Sequence, residues 1–333
     1  MSAKNAYFRN NLITFVFYHK SQSTQGLRPI ITCIIISTMT KVLLDASNAW
    51  YRCYLANTMI ESTGMPVVIM TYMLRKLCQQ HGRNNVVVCW DGGDGGRKKL
   101  DPEYKGQRTS RPGVWEDIVY MYRMVDCLGI PHSQVVGHEA DDVIGSLAVR
   151  STEPVLIHSF DKDFYQLVTP NTQIFRPERK MNGKVFPQQI IDEAAVREEF
   201  GCDPNKVVII KAFQGDASDN IPRISIRFTQ NFLKPFYELI AKSTSVSDFY
   251  EKLDLIDEKY HESLLAFKDR ALLNEKLVQI NTTLNVAPTQ TDQDFEVFNT
   301  LCTELEITRL KASDWQEMPT TTAELPPVQN SLF

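Results

Sequence analysis

The stretch Lys41-Val-Leu-Leu-Asp45 is an apolar run that ends in a carboxylate. A short run without polar alternation is typical of a parallel strand that is buried on both faces. The same pattern recurs at Val86-Val-Val-Cys-Trp-Asp91, and a third apolar run occupies residues 155–160. Helical periodicity fills residues 67–81 and 139–150. Strands that alternate with helices predict an α/β fold with a mostly parallel central sheet flanked by helices.

Carboxylates stand at the ends of these runs and in two motifs, Gly137-His-Glu-Ala-Asp-Asp142 and Gly215-Asp-Ala-Ser-Asp-Asn220. The carboxyl ends of parallel strands meet at one crevice, so we expect the acids to gather there. Gathered carboxylates repel one another unless cations neutralise them, and oxygen ligands favour hard cations such as Mg²⁺ or Mn²⁺. The pattern predicts a phosphodiesterase that uses two metal ions. The nine candidate metal ligands are Asp45, Asp91, Glu139, Asp141, Asp142, Asp161, Asp163, Asp216 and Asp219.

The composition is that of an ordinary globular protein, with 43% hydrophobic and 23% charged residues among 333. A net charge of -4 argues against nucleic-acid affinity over the whole surface, so a nucleic-acid site must be a local patch. The seven cysteines form no C-x-x-C pair, which favours a reducing, cytoplasmic location and disfavours a zinc site. The apolar stretch 29–37 is too short to cross a membrane, which takes about 20 residues.

The chain is expected to divide into four segments. Met39 lies directly before the first core strand, so residues 1–38 are expected to form an extension outside the core, with Met39 as a candidate start. Residues 39–200 carry the alternating pattern, and residues 201–318 are mainly helical. The last segment, 319–333, is rich in Thr and Pro and is expected to be disordered.

Finer elements follow from local signals in the second half of the chain. Asn182-Gly183 predicts a tight turn in a hairpin formed by strands at residues 172–176 and 184–186. Helices are predicted at residues 203–213 and, as one long element, at 258–280.

Six motifs occur in an order that is specific as a set, although each alone is weak. They are the strand ending in Asp45 with Ser47-Asn48, the strand ending in Asp91, Tyr104-Lys-Gly-Gln-Arg108, Glu139-Ala-Asp-Asp142, Asp161-Lys-Asp163 and Gly215-Asp-Ala-Ser-Asp-Asn220. On these motifs the chain resembles the 5′→3′ exonuclease and flap-endonuclease family, most closely bacteriophage members such as the ribonuclease H of T-even-type phages. The resemblance implies a PIN-like 5′-nuclease domain with a helical arch at about residues 92–125, followed by a C-terminal helix-three-turn-helix DNA-binding subdomain.

The resemblance also implies roles for the acids. It assigns Asp45, Asp91, Glu139 and Asp141 to a first Mg²⁺ ion, places Asp142 between the two ions, and assigns Asp161, Asp163, Asp216 and Asp219 to a second ion. The alternative for a single acid such as Asp142, Asp163 or Asp219 is a helix N-cap or first-turn position.

Basic and aromatic residues of the arch carry further implied roles. Lys105 and Arg108 would be catalytic, by contacting the scissile phosphate, and Tyr104 would stack on an adjacent base. A solvated basic loop and an ordinary packing tyrosine are the alternatives. Arg97, Lys98, Lys99 and Arg111 are candidate phosphate contacts, with a plain solubilising surface as the alternative.

The stretch Arg223-Ile-Ser-Ile-Arg-Phe-Thr229 departs from the family pattern, which has a glycine-rich loop here. The tight loop and its monovalent cation are therefore in doubt. Arg223 and Arg227 are candidates to supply positive charge to DNA directly.

The final residues, Gln329-Asn-Ser-Leu-Phe333, resemble the peptide by which replication proteins bind a sliding clamp. Gln329 would fix the register, and Leu332 and Phe333 would fill an apolar pocket. A chance tail is an equal alternative.

The resemblance favours a monomeric, metal-dependent nuclease that removes RNA primers and 5′ flaps. Its partners would be DNA with a 5′ flap or nick, an RNA–DNA hybrid, and possible clamp and single-stranded DNA-binding proteins. A PIN-like ribonuclease on single-stranded RNA and a catalytically inactive DNA-binding scaffold are the alternatives.

Overall fold

The computed structural model describes residues 6–9, 12–19, 28–32, 40–56, 64–108, 113–181, 183–226 and 229–321. Its first three strands are β1 (Ala6–Arg9), β2 (Leu12–His19) and β3 (Arg28–Thr32). They form an antiparallel sheet of their own. Among the described residues, these strands make no pairing with the strands that follow. That residues 1–38 are dispensable for the core stays a prediction.

Eight strands follow Thr40: β4 (Lys41–Asp45), β5 (Val86–Trp90), β6 (His132–Gln134), β7 (Val155–His158), β8 (Thr172–Arg176), β9 (Arg179–Met181), β10 (Lys184–Phe186) and β11 (Gln189–Ile191). Six of them form one sheet in the order β11-β8-β7-β4-β5-β6. All its pairings are parallel except that of the edge strand β11 with β8. The predicted mostly parallel sheet is confirmed.

Thirteen α-helices lie in the part of the chain that the structure describes: α1 (Ala46–Ala56), α2 (Met65–His81), α3 (Arg97–Leu100), α4 (Ile118–Cys127), α5 (Ala140–Arg150), α6 (Glu193–Phe200), α7 (Val207–Gln214), α8 (Gln230–Lys242), α9 (Val246–Glu251), α10 (His261–Ala266), α11 (Lys268–Val278), α12 (Phe295–Glu304) and α13 (Ser313–Gln316). In the same part, no helix is both long and apolar enough to cross a membrane.

The central sheet is buried on both faces, as its unbroken apolar runs predict. Alternate residues of β4 and β5 point to opposite sides, since side chains alternate along a strand. Val42 and Val88 pack with α1, α2 and α4 on one face, while Leu43 and Val87 pack with α5 on the other. The helices that flank this sheet complete the three-layer fold that the sequence predicts.

Helices α7 to α11 form a separate apolar cluster around Phe213, Phe232, Phe236 and Phe249. The loop between α7 and α8 begins at Gly215 and carries two of the candidate metal ligands. Helix α11 packs along α7 and so places this cluster beside the sheet. The packing is that of a helical subdomain joined to the domain that contains the central sheet.

The C-terminal segment returns to the sheet, which the sequence-based grouping of residues 201–318 did not anticipate. Phe298 and Leu301 of α12 and Trp315 of α13 are buried in the same cluster as Trp50 and Val67, against α1 and α2. The helical subdomain therefore covers α7 to α11, and the last helices belong to the core of the sheet domain.

Three local predictions differ from the structure. Asn182 lies outside the described residues, but β9 and β10 pair across it, so the hairpin is formed by residues 179–181 and 184–186. β8 pairs instead with β7 and β11. The long helix predicted at residues 258–280 is divided into a short 3-10 turn, α10 and α11. The helix predicted at residues 203–213 begins as a 3-10 turn that ends at Lys206.

Candidate metal centre

The carboxyl ends of the three middle strands of the sheet meet at one crevice. Asp45 is the last residue of β4, Asp91 directly follows β5, and Asp161 follows β7 after two residues. β4 pairs in parallel with both neighbours, so these ends lie side by side. The chain order changes direction across β4, and such a switch point is where open α/β sheets place their functional sites.

Asp45 is buried and is held by two hydrogen bonds. It accepts from the Asn48 backbone N–H at 3.1 Å and from Ser159 Oγ at 2.8 Å. Burial and the neighbouring Asp91 carboxylate raise the pKa of Asp45 to about 7. Its charge is therefore poorly compensated by the protein.

Asp141, like Asp45, is a carboxylate whose charge is poorly offset by positive groups of the protein. It lies in the first turn of α5, and the N–H of Ala140 donates to Asp91 Oδ1 at 2.7 Å. Burial, and then the charges of Asp161 and Asp45, raise the pKa of Asp141 well above its ordinary value. Burial also raises the pKa of Asp161. The helix N-terminus alone does not offset this repulsion.

We call the following residues the first acid cluster: Asp45, Asp91, Asp141 and Asp161. Within the described part of the chain, no lysine, arginine or histidine forms an ion pair with any of them. Asp45 is buried, Asp141 and Asp161 are half-buried and Asp91 is exposed, and a group of carboxylates without a paired cation fits a hard divalent cation. The donor set of the first acid cluster thus suits the metal that the sequence predicts.

Glu139 and Asp219 differ, because arch residues neutralise them. Lys105 Nζ lies 2.5 Å from Glu139 Oε1 and 3.9 Å from Asp219 Oδ2. Arg108 donates to Asp219 Oδ1 at 2.5 Å. Burial would lower the pKa of Lys105, but Glu139 and Asp219 hold it above its ordinary value. The structure brings both predicted catalytic cations to the crevice.

The base of the arch is docked on the loop after α7. The Lys105 N–H donates to the Asp219 carbonyl at 2.8 Å, and Gln107 Nε2 donates to the Ala217 carbonyl at 2.8 Å. Asn220 Nδ2 returns a bond to the Glu103 carbonyl at 2.9 Å. Lys105 itself has a φ of 54°, a left-handed conformation that a non-glycine residue rarely adopts. These contacts fix where the Lys105 ammonium points.

Tyr104 is placed differently from its implied base-stacking role. It is only 3% exposed, and its hydroxyl lies 3.2 Å from Asp219 Oδ2 and 3.3 Å from Glu139 Oε2. Burial and these two acids raise its pKa, so the hydroxyl is protonated and donates. In this structure Tyr104 is a buried support for two acids, with no ring face open to a base.

Arg97 and Asp142 form a buried pair, and this corrects both predictions made for them. Arg97 donates to both Asp142 oxygens, at 3.0 and 2.9 Å, and also to the carbonyls of Leu277 and Gln279. Asp142 further accepts from the Asn281 N–H at 2.9 Å. With its oxygens engaged, Asp142 is not free to bind an ion, and Arg97 is too buried to contact DNA. The pair instead ties the arch and α5 to the end of α11.

Asp163 and Asp216, which we call the second acid pair, both contact Lys211. Lys211 Nζ donates to Asp163 Oδ1 and, at 3.0 Å, to Asp216 Oδ2. Burial alone would raise the pKa of Asp216, but Lys211 and the Ser218 hydrogen bonds outweigh it and hold the pKa below its ordinary value. Sequence reasoning missed Lys211. The signal was a single lysine within the otherwise apolar run of α7.

The remaining residues predicted to bind DNA or a clamp are either exposed on the surface or lie outside the part of the chain that the structure describes. Lys98 and Lys99 are exposed on α3, and Arg223 is exposed in the loop before α8. The structure therefore keeps these three open to solvent. The candidates that fall outside the described residues are Arg111, Arg227, Gln329, Leu332 and Phe333.

Among the residues described, no three acidic, histidine or cysteine side chains converge as a ready-made ion site. The physical reason is visible in the ion pairs. Basic side chains lie among the acids at Glu139, Asp142, Asp219 and the second acid pair. A bound cation would have to draw these carboxylates together.

Comparison with known proteins identifies relatives of the whole domain. A family model for the 5′-3′ exonuclease N-terminal resolvase-like domain matches residues 40–201. The 5′-3′ exonuclease of Buchnera aphidicola subsp. Acyrthosiphon pisum is 30% identical over 256 residues, which are 72% of this chain and 85% of the relative. DNA polymerase I of Lactococcus lactis subsp. lactis is 29% identical over 257 residues. The match covers 72% of this chain but only 28% of that polymerase.

Solved structures share the fold at low sequence identity. The T5 D15 protein co-crystallised with metal ions has a TM-score of 0.57 at 19% identity, covering 80% of this chain and 99% of that one. Human GEN1 in complex with Holliday junction DNA has a TM-score of 0.56 at 15% identity, covering 80% of this chain and 68% of that one.

Proposed function

The chain belongs to the 5′-3′ exonuclease family, and from this premise we propose that it is a structure-specific nuclease that hydrolyses phosphodiester bonds near the 5′ ends of DNA. The observation that carries the proposal is the first acid cluster. Its four carboxylates stand at the switch point of the sheet and form no ion pair within the described part of the chain, and burial raises the pKa values of Asp45, Asp141 and Asp161. Such a cluster is costly unless it binds cations, and phosphodiester hydrolysis is the chemistry that uses them.

The cation proposed for this cluster is Mg²⁺, with Mn²⁺ as a substitute, because every candidate ligand is a carboxylate. Asp45, Asp91 and Asp141 would hold it, with Asp161 at the side facing the loop after α7. When bound, the ion activates water and stabilises charge on the leaving oxygen. The number of ions is a separate question, because Lys211 lies among the acids assigned to a second ion.

Lys105 and Arg108 are proposed to act on the scissile phosphate. In the structure Lys105 is paired with Glu139 and Arg108 is paired with Asp219, so both cations lie at the acids of the crevice. When substrate binds, Lys105 and Arg108 would each exchange a carboxylate partner for a phosphate oxygen, so both cations would stay paired. A positioned cation stabilises the charge that develops on the phosphate in the transition state.

The proposed substrates are DNA with a 5′ flap or nick and RNA primers in RNA–DNA hybrids. Support comes from the family and from the fold shared with the T5 D15 flap endonuclease, whose structure was solved with DNA and metal ions. Lys98, Lys99 and Arg223 are exposed cations suited to phosphate contacts. A sliding clamp and a single-stranded DNA-binding protein are proposed partners in replication, in the cytoplasm, with the protein as a monomer.

The test is cleavage of end-labelled 5′-flap, nicked-duplex and RNA–DNA substrates with Mg²⁺ and with excess chelator. Asp141→Asn should abolish cleavage and leave flap binding largely intact, since it removes metal-binding charge and no phosphate contact. The matched control is Asp254→Asn, at an exposed acid of the helical subdomain. Full cleavage in chelator, or by the Asp141 variant, would refute the proposal.

A further inference from the structure

Lys211 lies where the resemblance to the nuclease family implies a second metal ion. It belongs to α7, and its side chain is only 7% exposed. Its ammonium contacts Asp163 and Asp216 together, two of the four acids assigned to that ion. A buried lysine bound to two carboxylates is a specific arrangement, because an ammonium is rarely buried without such partners.

Of the other two acids assigned to the second ion, only Asp219 is committed elsewhere. Asp219 is paired with Arg108 and receives the Tyr104 hydroxyl. Asp161 is the exception, since its charge acts on Asp141 in the first acid cluster. Lys211, Arg108 and Lys105 thus supply positive charge to the positions that a second ion would serve.

The surroundings of Lys211 show that its placement is enforced. Its neighbours on α7, Ile210 and Phe213, are buried in the helical subdomain. The Asp216 carboxylate is fixed by Ser218, whose N–H and hydroxyl donate to Oδ1 at 2.8 and 2.6 Å. Asp163 begins a 3-10 turn directly after β7 and its short loop. A rigid lysine between two oriented acids leaves the trio with one negative charge, and its ammonium would repel a divalent cation bound to the same two carboxylates.

The same residues line an open cleft of about 490 Å³ that includes Asn48, Asp161, Asp163, Lys211 and Asp216. The Lys211 side chain therefore lies on the wall of a space large enough for a nucleotide phosphate. An ammonium there would attract the phosphate backbone that a second divalent ion would otherwise attract.

We propose that the Lys211 ammonium takes the place of the second divalent ion, so that the free protein binds one divalent cation, at the first acid cluster. This inference rests on the proposed function for the identity of that cluster, and it changes the expected stoichiometry from two ions to one. The second acid pair is then one side of an internal salt bridge that keeps the Lys211 ammonium on the wall of the cleft.

The experiment counts Mn²⁺ ions bound to the full-length protein without DNA, by the loss of the free Mn²⁺ signal in electron paramagnetic resonance. The wild-type chain should bind one ion per molecule. Lys211→Met keeps the aliphatic length and removes the charge, so it should bind a second ion, at least about tenfold more tightly than any second ion of the wild type. Lys211→Arg should stay at one.

A matched control is Lys162→Met. Lys162 lines the same cleft, but its ammonium pairs with Glu199 at 2.5 Å, so its removal should leave the count at one. Two ions of similar affinity in the wild type, or one ion in Lys211→Met, would overturn the proposal.

Stability gives a second reading that does not depend on activity. In chelator, Lys211→Met should melt at a lower temperature than the wild type, because Asp163 and Asp216 then face each other without a cation. Mn²⁺ should restore the melting temperature, and a loss that Mn²⁺ does not restore would contradict the proposal.

If Lys211→Met does not fold, Asp216→Asn serves instead. The Asp216→Asn protein should bind one Mn²⁺ ion, as the wild type does. A wild type that binds two ions and an Asp216→Asn protein that binds one would refute the proposal.

Failure of the inference and failure of the proposed function are distinguishable. Cleavage of flaps with Mg²⁺ together with binding of two Mn²⁺ ions would support the proposed function and refute the one-ion proposal. Binding of one Mn²⁺ ion without cleavage of any 5′-ended substrate would support the one-ion proposal and refute the proposed function.

Discussion

At the scale of single residues, the acids of this protein divide by what neutralises them. In the described part of the chain, Asp45, Asp91 and Asp161 near the strand ends and Asp141 on α5 form no ion pair, whereas Glu139, Asp142 and Asp219 each have at least one. We therefore expect identical side chains within one crevice to have different functions. Charge pairing separates ligands from supports more clearly than residue type does.

Lys105→Ala should lower the single-turnover rate of flap cleavage by roughly a hundredfold or more, equivalent to about 3 kcal/mol of transition-state stabilisation. The reason is the fixed position of its ammonium between Glu139 and Asp219. Lys98→Ala is the control: this exposed cation of α3 should affect affinity alone. An unchanged rate with weaker binding would make Lys105 an ordinary phosphate contact.

His158 should make stability depend on pH. Burial, together with the charge of His81, lowers its pKa to about 4 from an ordinary 6.5. The unfolded chain binds this proton first, so the stabilising contribution is complete above pH 6.5 and is lost as the pH falls towards 4. Between pH 7 and pH 5 the loss is about 2 kcal/mol.

The measurement is urea unfolding of the wild type and His158→Leu at both pH values. The buried acids shift stability in the opposite direction, because their raised pKa values favour the folded state as the pH falls. The difference between the two proteins isolates the histidine. Equal pH dependence in both would show that His158 does not contribute.

Residue types predicted which side chains reach the crevice, but not which of them are buried there. The strand-end acids and Lys105 could be found from their motifs. The pairing of Arg97 with Asp142, the burial of Tyr104 and the position of Lys211 could not, because each depends on packing between segments far apart in sequence. From sequence alone, a lysine or arginine is equally consistent with a phosphate contact and with an internal ion pair.

At the scale of elements, the loop after α7 holds the site together. It closes on itself through the Asp216 N–H to Ile221 carbonyl bond at 2.9 Å and the return bond at 2.8 Å. It also receives the arch base through Lys105 and Gln107. The loop is therefore the element on which the arch, the second acid pair and Asp219 are aligned.

Gly215→Ala should destabilise the protein by about 2 kcal/mol or more and reduce cleavage. Gly215 has φ 67° and ψ −176°, a conformation essentially restricted to glycine, and a Cβ there would lie 2.5 Å from the Ile221 carbonyl oxygen. Gly183→Ala is the control, since its φ is also positive but no atom lies near a Cβ. Urea unfolding should show a much smaller loss for Gly183→Ala, and equal losses would contradict the steric argument.

Elements with a strong pattern were predictable, and their partners were less so. The buried runs gave β4, β5 and β7, and Asn182-Gly183 marked the turn between β9 and β10. The pairing of β8 with β11 was missed because a three-residue strand carries too little pattern to show its partner. Helix α11 was merged with α10 because only Phe267 separates the two helices.

At the scale of the whole molecule, the chain crosses from the sheet to the helical subdomain and then returns. Residues 281–294 run back along α5 and β6, where Asn281 bonds to Asp142 and Thr289 pairs with His132. The two final helices then cover the face of the sheet formed with α1 and α2. Sequence reasoning could not place them, since an amphipathic helix does not reveal which apolar surface it covers.

The last prediction tests this return. Phe298 is fully buried on α12 among residues of α2 and α4, so Phe298→Ala should lower the free energy of unfolding by about 3–5 kcal/mol. Val297, its neighbour on the same helix, is 36% exposed, and Val297→Ala should change it by less than about 0.5 kcal/mol.

Urea unfolding followed by tryptophan fluorescence reports on the nuclease domain, because Trp50, Trp90 and Trp315 are buried in its apolar cluster and the helical subdomain contains no tryptophan. The loss in Phe298→Ala should appear in that signal, because Phe298 and Trp50 share one apolar cluster. A loss confined to circular dichroism of the helices, with an unchanged tryptophan transition, would instead assign α12 to the helical subdomain. The joint transition is expected because the final helices complete a face of the sheet whose carboxyl edge carries the metal centre.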